Sequence, residues 1–388
     1  MQIKLPQVDG QIKTLSLRAR PVVPQGRVFA FNRVVYAAAH VVVDPVRTCD
    51  PWDAAPAIDW DATLAFREHL YRLGFNVAEA MDTAQRGMGV DWPVARELIR
   101  RSLRHARSVG GEAACGVGTD QLAAGADVTL SQVEAAYREQ LAVVDEEGGQ
   151  AVLMASRALA RCARGAKDYL DLYGRLLRDA RRPVILHWLG KMFDPQLEGY
   201  WGSTETGTAL ETVLELIETH ADKVAGIKVS LLQARWEIEL RRRLPSGVRM
   251  FTGDDFNYAE LIEGDEFGHS NGLLGIFDAI APVASVALAR LASGDVLGYR
   301  EVLDPTVALS RELFRAPTRH YKAGVVFLAW LNGHQRHFSM AGGLQSARGI
   351  AHFAKVFELA DACGALSDPE RACARMRALL AVSCGLDA

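Results

Sequence analysis

The sequence predicts an α/β protein built on a (β/α)8 TIM barrel, with an N-terminal β-hairpin extension and additional C-terminal helices. Three observations carry that prediction. Short apolar segments alternate with amphipathic stretches between residues 33 and 293, there are eight of them, and they are apolar on both faces. Strands without a polar face belong in a parallel sheet covered by helices, and eight such units close a barrel. A doubly wound open sheet is the alternative. No GxGxxG follows an early strand, however, and "GVGTDQ" (116–121) lacks both the third glycine and an immediate helix.

Residues 2–17, "QIKLPQVDGQIKTLSL", place Asp9-Gly10 between two alternating segments, the pattern of a type I′ hairpin. Strands are expected at 33–42, 76–81, 113–118, 151–156, 183–188, 224–230, 248–253 and 272–277. The intervening helices are expected at 60–73, 91–107, 130–147, 166–180, 207–219, 231–243 and 283–293. In the fourth of these, Tyr169, Leu172, Tyr173 and Leu176 fall at i, i+3, i+4 and i+7 and form one apolar stripe. "GLLGIFDAIAPVASVALARL" (272–291) approaches the length and apolarity of a membrane span. Asp278 and Pro282 read it instead as a strand, a short turn and a helix opened by the proline. From residue 298 onward the pattern is helical, over 298–315, 318–332, 345–363 and 368–381. The expected division is therefore a hairpin extension (1–30), a barrel (31–296) and a helical region packed on it (297–388).

Composition narrows the function classes. The 388 residues are 49% hydrophobic and carry a net charge of −3, with a pI near 6.4. A large core is possible, and nothing draws the chain to nucleic acid or an anionic membrane. A small polar substrate fits better. The six cysteines (Cys49, Cys115, Cys162, Cys363, Cys373, Cys384) show no CxxC pair, and "MQIKLPQVDG" has no apolar signal core. A cytoplasmic protein with reduced thiols is expected, and no cofactor.

In a β/α barrel the chemistry sits at the C-terminal ends of the strands. Those ends are polar here: Glu79, Asp82, Thr83 and Gln85 in "EAMDTAQ", then Thr119-Asp120, His187, Lys228, and Asp254-Asp255. Lys228 lies among Val224, Ile227 and Val229. An amine desolvated there has a lowered pKa, and the neutral amine attacks carbonyls to form an imine. The plain alternative is a strand-end lysine with its head in water. His187 ends "PVILHW" and can act as acid/base, ligate a metal or be a satisfied core residue. Asp254-Asp255 can serve a turn. Glu79, Asp82, Asp254 and His187 have the donor types for a divalent cation, but no fixed ligand spacing supports a metal site.

Several pieces in this order resemble the dihydrodipicolinate synthase / N-acetylneuraminate lyase superfamily of class I aldolase-like barrels. They are "IDWDATLAFREHLYRLGFN" (58–76), "AACGVGTD" (113–120), "RRPVILHWLG" (181–190), "VAGIKVS" (224–230), "FTGDD" (251–255) and "NGLLGIFDAIAPVASVALARLASGD" (271–295), within 33–365. The resemblance implies that Lys228 is the Schiff-base lysine, and His187 stands where the family has a proton-relaying tyrosine. The family's Gly-Thr-Thr-Gly-Glu carboxylate loop corresponds to "MDTAQ" (81–85), which keeps one hydroxyl, Thr83, and adds a charge, Asp82. The fourth-strand tyrosines are missing from "LMASRALA" (153–160), with Arg157 close by. These departures point away from pyruvate and toward a hydroxylated or sugar-derived carbonyl compound.

The expected function is accordingly a Schiff-base-forming lyase or aldolase, with Lys228 as nucleophile, His187 as proton relay, and Asp82, Thr83, Arg157 and Asp254 binding substrate. A metal-dependent aldolase or isomerase on the same barrel, and a barrel that binds a metabolite without turnover, are the alternatives. The insert "KMFDPQLEGYWGSTETG" (191–207), with Asp194, Tyr200 and Trp201, shapes the pocket or an interface. The apolar helices 320–331 and 350–360 suggest a homo-oligomer, a dimer or tetramer.

Overall fold

The computed structural model describes residues 1–26, 30–47, 56–123 and 127–387. Cys49 lies outside them. The chain opens with an antiparallel hairpin, β1 (Gln2–Pro6) and β2 (Ile12–Ser16), in which Leu5 faces Lys13. Then follow β3 (Val35–Ala38), α1 (Trp60–Arg72), β4 (Asn76–Glu79), α2 (Trp92–Val109), β5 (Ala113–Val117), α3 (Leu130–Glu146) and β6 (Gln150–Leu153). Next are α4 (Arg157–Cys162), α5 (Ala166–Asp179), β7 (Val184–Leu189), α6 (Thr206–Thr219), β8 (Val224–Ser230), α7 (Ala234–Arg243), β9 (Arg249–Thr252), α8 (Tyr258–Glu263) and β10 (Asn271–Leu274). The chain ends with α9 (Ile276–Ala292), α10 (Val296–Leu313), α11 (Tyr321–Leu331), α12 (Ile350–Ala362) and α13 (Pro369–Cys384). Strands β3 to β10 form a closed, all-parallel barrel in chain order, with β10 pairing β3. This is the (β/α)8 architecture that the alternation predicts.

Two compact units emerge. One comprises Arg33–Ala38 and Asn76–Leu274 and holds all eight barrel strands; the other comprises Met1–Asn32, Ala39–Phe75 and Gly275–Ala388. The barrel interior is filled by Tyr36, Ala38, Ala78, Met81, Ala114, Val152, Ile185, Phe251 and Leu273, each from the inward-facing set of its strand or just past it. Its helices are capped by local chemistry. Asp91 accepts from the Val94 amide at the start of α2, and Thr129 and Gln132 form a capping box at the start of α3.

In the other unit the hairpin is fastened to α12: Lys13 pairs with Glu358 at 3.0 Å, and the Asp361 carboxylate accepts the amides of Arg18 (2.7 Å) and Ala19 (3.0 Å). Here the chain also departs from the expected boundaries. The segment 33–42 is a strand only to Ala38, because the His40 amide donates to the Asp278 carboxylate (2.7 Å) rather than to a neighbouring strand. Helix α9 starts at Ile276 instead of 283 and encloses Pro282; Ile280 (φ −123°, ψ 19°) leaves the helical path two residues before the proline, where a straight helix would clash. The last part of 345–363 is helical, but Gly342 and Gly343 (φ 64° and 67°) hold 341–347 in tight turns. Among the described residues no helix is long and apolar enough to cross a membrane, which settles the reading of 272–291.

Candidate active site

Strand register places Lys228. It lies opposite His187 on β7 and Phe251 on β9, and Phe251 belongs to the barrel interior, so the row faces inward. One step earlier, Ile185 lies opposite Gly226. A Cβ on Gly226 would come within 2.7 Å of the Phe251 ring, so glycine there makes room for the aromatic floor beneath the lysine. Lys228 thus stands one layer above the apolar core, toward the C-terminal end of its strand. It is 8% exposed.

Burial pushes the Lys228 ammonium down from its ordinary value, and the carboxylates of Asp255 and Asp82 oppose that shift. Among the described residues no hydrogen bond or ion pair closes on its Nζ. A second glycine shapes its stem. A Cβ on Gly253 would overlap Ser230 Oγ and lie 2.6 Å from Lys228 Cε.

His187 is 2% exposed. Burial, with a smaller contribution from Lys228, drives its pKa well below 6.5, so the imidazole is neutral at physiological pH. Its Nε2 meets Ser230 Oγ at 3.2 Å, and its Nδ1 has no partner among the described residues. Ser230 shares a strand face with Lys228 two residues earlier, so one face of β8 carries both the amine and the group that orients the imidazole.

A cavity of about 270 Å³ opens beside this row. His187, Asp82, Thr119, Asp120, Met154, Ser156, Arg157 and Asp194 line it. Lys228 is not among its lining residues, but its cross-strand neighbour His187 is, and so is Asp82, whose charge favours the ammonium. The glycines of "GVG" have a steric reason here. A Cβ on Gly116 would lie 2.8 Å from Met154 Sδ and one on Gly118 3.2 Å from its Cε, so the bare strand accommodates the thioether that floors the cavity. Arg86, buried and also on the lining, donates to Asp120 Oδ1 (2.7 Å), Gly116 O (2.5 Å) and the Gln140 side chain. Asp120 is held below the usual carboxylate range despite its burial, because the Arg86 charge and hydrogen bonds outweigh the desolvation.

The insert after β7 contributes Asp194, Gln196 and Leu197 to the cavity lining. Tyr200 and Trp201 pack on Tyr169 and Tyr173 of α5, with ring centroids 4.8 to 5.8 Å apart. Trp201 takes a left-handed φ of 69°, a strained choice for a bulky residue. Gly202 follows because a Cβ would overlap the Ala166 backbone. The Tyr200 hydroxyl bonds Tyr173 (2.8 Å) and accepts the Ser156 amide (3.0 Å), and Ser156 Oγ meets Thr119 Oγ1 at 2.6 Å. The insert therefore shapes the pocket, one of the two roles its position suggests.

Of the expected site residues, the cavity lining brings together His187, Asp82 and Arg157. Lys228 stands beside it without lining it, and two more are left out. Thr83 is buried inside the turn Asp82–Ala84, away from the lining. Asp254 serves its own loop: Oδ1 accepts the amides of Phe256 (2.9 Å) and Asn257 (3.0 Å), and Oδ2 accepts from Asn257 Nδ2 (2.8 Å). Oδ1 closes an Asx turn and Oδ2 holds the Asn257 side chain, so both oxygens are engaged within the loop. Its neighbour Asp255 is the carboxylate with the larger effect on Lys228. Glu79, considered for a cation, accepts from Ser102 Oγ (2.5 Å) and from the Ala80 amide (2.8 Å). No three His, Cys, Asp or Glu side chains among the described residues are grouped to hold a metal ion. Sequence reasoning missed Arg86, Ser230 and the tyrosine cluster. Ser230 was within reach, since residues i and i+2 of a strand share a face.

Solved structures similar to this chain carry the same barrel. A prophage protein of the dihydrodipicolinic acid synthase family from E. coli K12, in complex with pyruvate, is 11% identical, with a TM-score of 0.64 over 90% of this chain and 98% of that one. Dihydrodipicolinate synthase from Bacteroides thetaiotaomicron is 13% identical, with a TM-score of 0.63 over 85% and 98%. The synthase from Aquifex aeolicus is 12% identical, with a TM-score of 0.59 over 78% and 88%. At such identities the likeness concerns the fold. No curated protein matches the chain. The fold is that of these synthase structures; residues 3–385 match the family described as "Protein of unknown function (DUF993)", and the chain belongs to that family.

Proposed function

We propose that this protein is a Schiff-base-forming lyase or aldolase acting on a small hydroxylated carbonyl compound. The observation that supports the reading most is the Lys228 amine: inward-facing, desolvated, and without a described ion-pair partner. In its neutral form it attacks the substrate carbonyl carbon. Loss of water from the carbinolamine leaves an iminium, which takes up the electron pair when the adjacent C–C bond breaks and becomes an enamine; the reverse sequence makes the bond. The enamine is then protonated and the imine hydrolysed.

His187, neutral and oriented by Ser230, is the group suited to carry protons to and from the carbinolamine and the leaving fragment. Asp82 and the hydroxyls of Thr119 and Ser156 in the cavity wall are suited to hold substrate hydroxyls, which carboxylates and hydroxyls accept well. Asp82 near the amine disfavours a carboxylate directly beside the reacting carbonyl. Incubation with a panel of sugar-derived aldehydes and ketones followed by borohydride reduction tests the reading. A stable mass adduct on the Lys228 peptide, absent in Lys228→Ala, is expected; an adduct that persists in that variant refutes the assignment.

A further inference from the structure

We propose that Arg157 forms an anion subsite on the α4 side of the cavity, so that the carbonyl substrate carries a carboxylate or phosphate group away from the reacting carbon. This deepens the Schiff-base reading of Lys228 and rests on it. Arg157 opens α4 and is fixed twice by the insert. Its backbone follows Ser156, whose amide is held by Tyr200 and whose Oγ accepts the Leu159 amide (3.0 Å). Its side chain donates Nε to Asp194 Oδ2, while Asp194 Oδ1 accepts the Gln196 amide (3.1 Å) and is itself anchored.

The partition of the guanidinium is the informative part. Nε is engaged, and neither Nη1 nor Nη2 has a partner among the described residues. The arginine side chain is 48% exposed and lines the cavity, whereas Asp194 is 12% exposed. A pair formed for stability alone would have little value at that exposure. Held by Nε, a guanidinium presents its two terminal amino groups end-on, a fork that matches two oxygens of a carboxylate or phosphate. Arg161, one helical turn on, lines the same wall, with Gln196 3.5 Å from its Nη2. Asp82, on the cavity lining, bears on Lys228 instead. The α4 wall therefore presents two arginines, Arg157 beside Asp194 and Arg161.

The test uses borohydride trapping of matched aldehydes on the full chain, read by intact mass: glyceraldehyde against glyceraldehyde 3-phosphate, and butanal against 4-oxobutanoate. At least one anionic member is expected to half-saturate at about tenfold or more lower concentration than its neutral partner. In Arg157→Gln that ratio falls to near one, and Arg157→Lys, which keeps the charge and loses the fork, falls between. Preference in only one pair identifies the anion as phosphate or carboxylate. Equal half-saturation within both pairs in the wild type, or a preference retained in Arg157→Gln, overturns the proposal. If no aldehyde is trapped at all, the Lys228 reading fails, and the subsite is judged by melting temperature in inorganic phosphate and in malonate. A concentration-dependent rise lost in Arg157→Gln supports it, and no rise in the wild type overturns it.

Discussion

Glu237 offers a prediction with a calculable size. The residue sits on α7, 1% exposed, and accepts a hydrogen bond from Ser270 Oγ at 2.6 Å. Burial raises its carboxyl from 4.5 to about 8; Asp254 adds to the shift, while Ser270, Thr252 and Arg241 oppose it. The native state therefore keeps a proton that the unfolded chain loses above pH 4.5. Stability contributed by that proton is fully present below pH 4.5, declines as pH rises, and is gone above about pH 8. At 1.36 kcal/mol per pH unit, the interval corresponds to about 5 kcal/mol. Glu237→Gln keeps the shape and the hydrogen bond to Ser270 but cannot ionise. Urea unfolding at pH 5 should find variant and wild type within about 1 kcal/mol, and at pH 9.5 the variant should be more stable by several kcal/mol. Parallel pH profiles for the two proteins refute the buried, protonated acid.

Other outcomes follow from the same packing and burial. Gly253→Ala places a Cβ against Ser230 Oγ and Lys228 Cε; overpacking of about 1–3 kcal/mol should slow carbonyl trapping on the lysine while far-UV circular dichroism stays unchanged. The His187 imidazole, kept neutral by burial and by Lys228, should show no ordinary titration near 6.5 when followed by NMR, its midpoint lying well below that value; a midpoint at 6.5 contradicts the site electrostatics. Gly202→Ala, at φ 87° and with no room beside Ala166, should unseat Tyr200 and Trp201 and cost about 2–3 kcal/mol in unfolding measurements.

The architecture was legible because both of its signals are periodic. Eight doubly apolar segments separated by amphipathic stretches leave few alternatives to a closed parallel barrel, and all eight strands lie within or beside their expected ranges. Lys228 was legible for the same reason, as a charge interrupting an apolar strand. Loops were not. Whether Asp254 or Asp255 bears on the lysine depends on the Asx turn of one loop, and whether Thr83 faces the cavity depends on a single turn of 3₁₀ helix ending at Gln85 with φ 61°. Arg86 was invisible because its partners, Asp120 and Gln140, are 34 and 54 residues away. The start of α9 was missed because the proline rule places Pro282 in a first turn, and a local break at Ile280 serves equally well.

The covalent mechanism requires an amino group at position 228 that gives up its proton more easily than an ordinary lysine. Reductive methylation with ¹³C-formaldehyde and NMR titration of the full chain measures this directly, with the Lys228 resonance assigned by its loss in Lys228→Arg. A midpoint clearly below 10.5, the ordinary lysine value, is the predicted result; a midpoint at or above it contradicts the covalent mechanism.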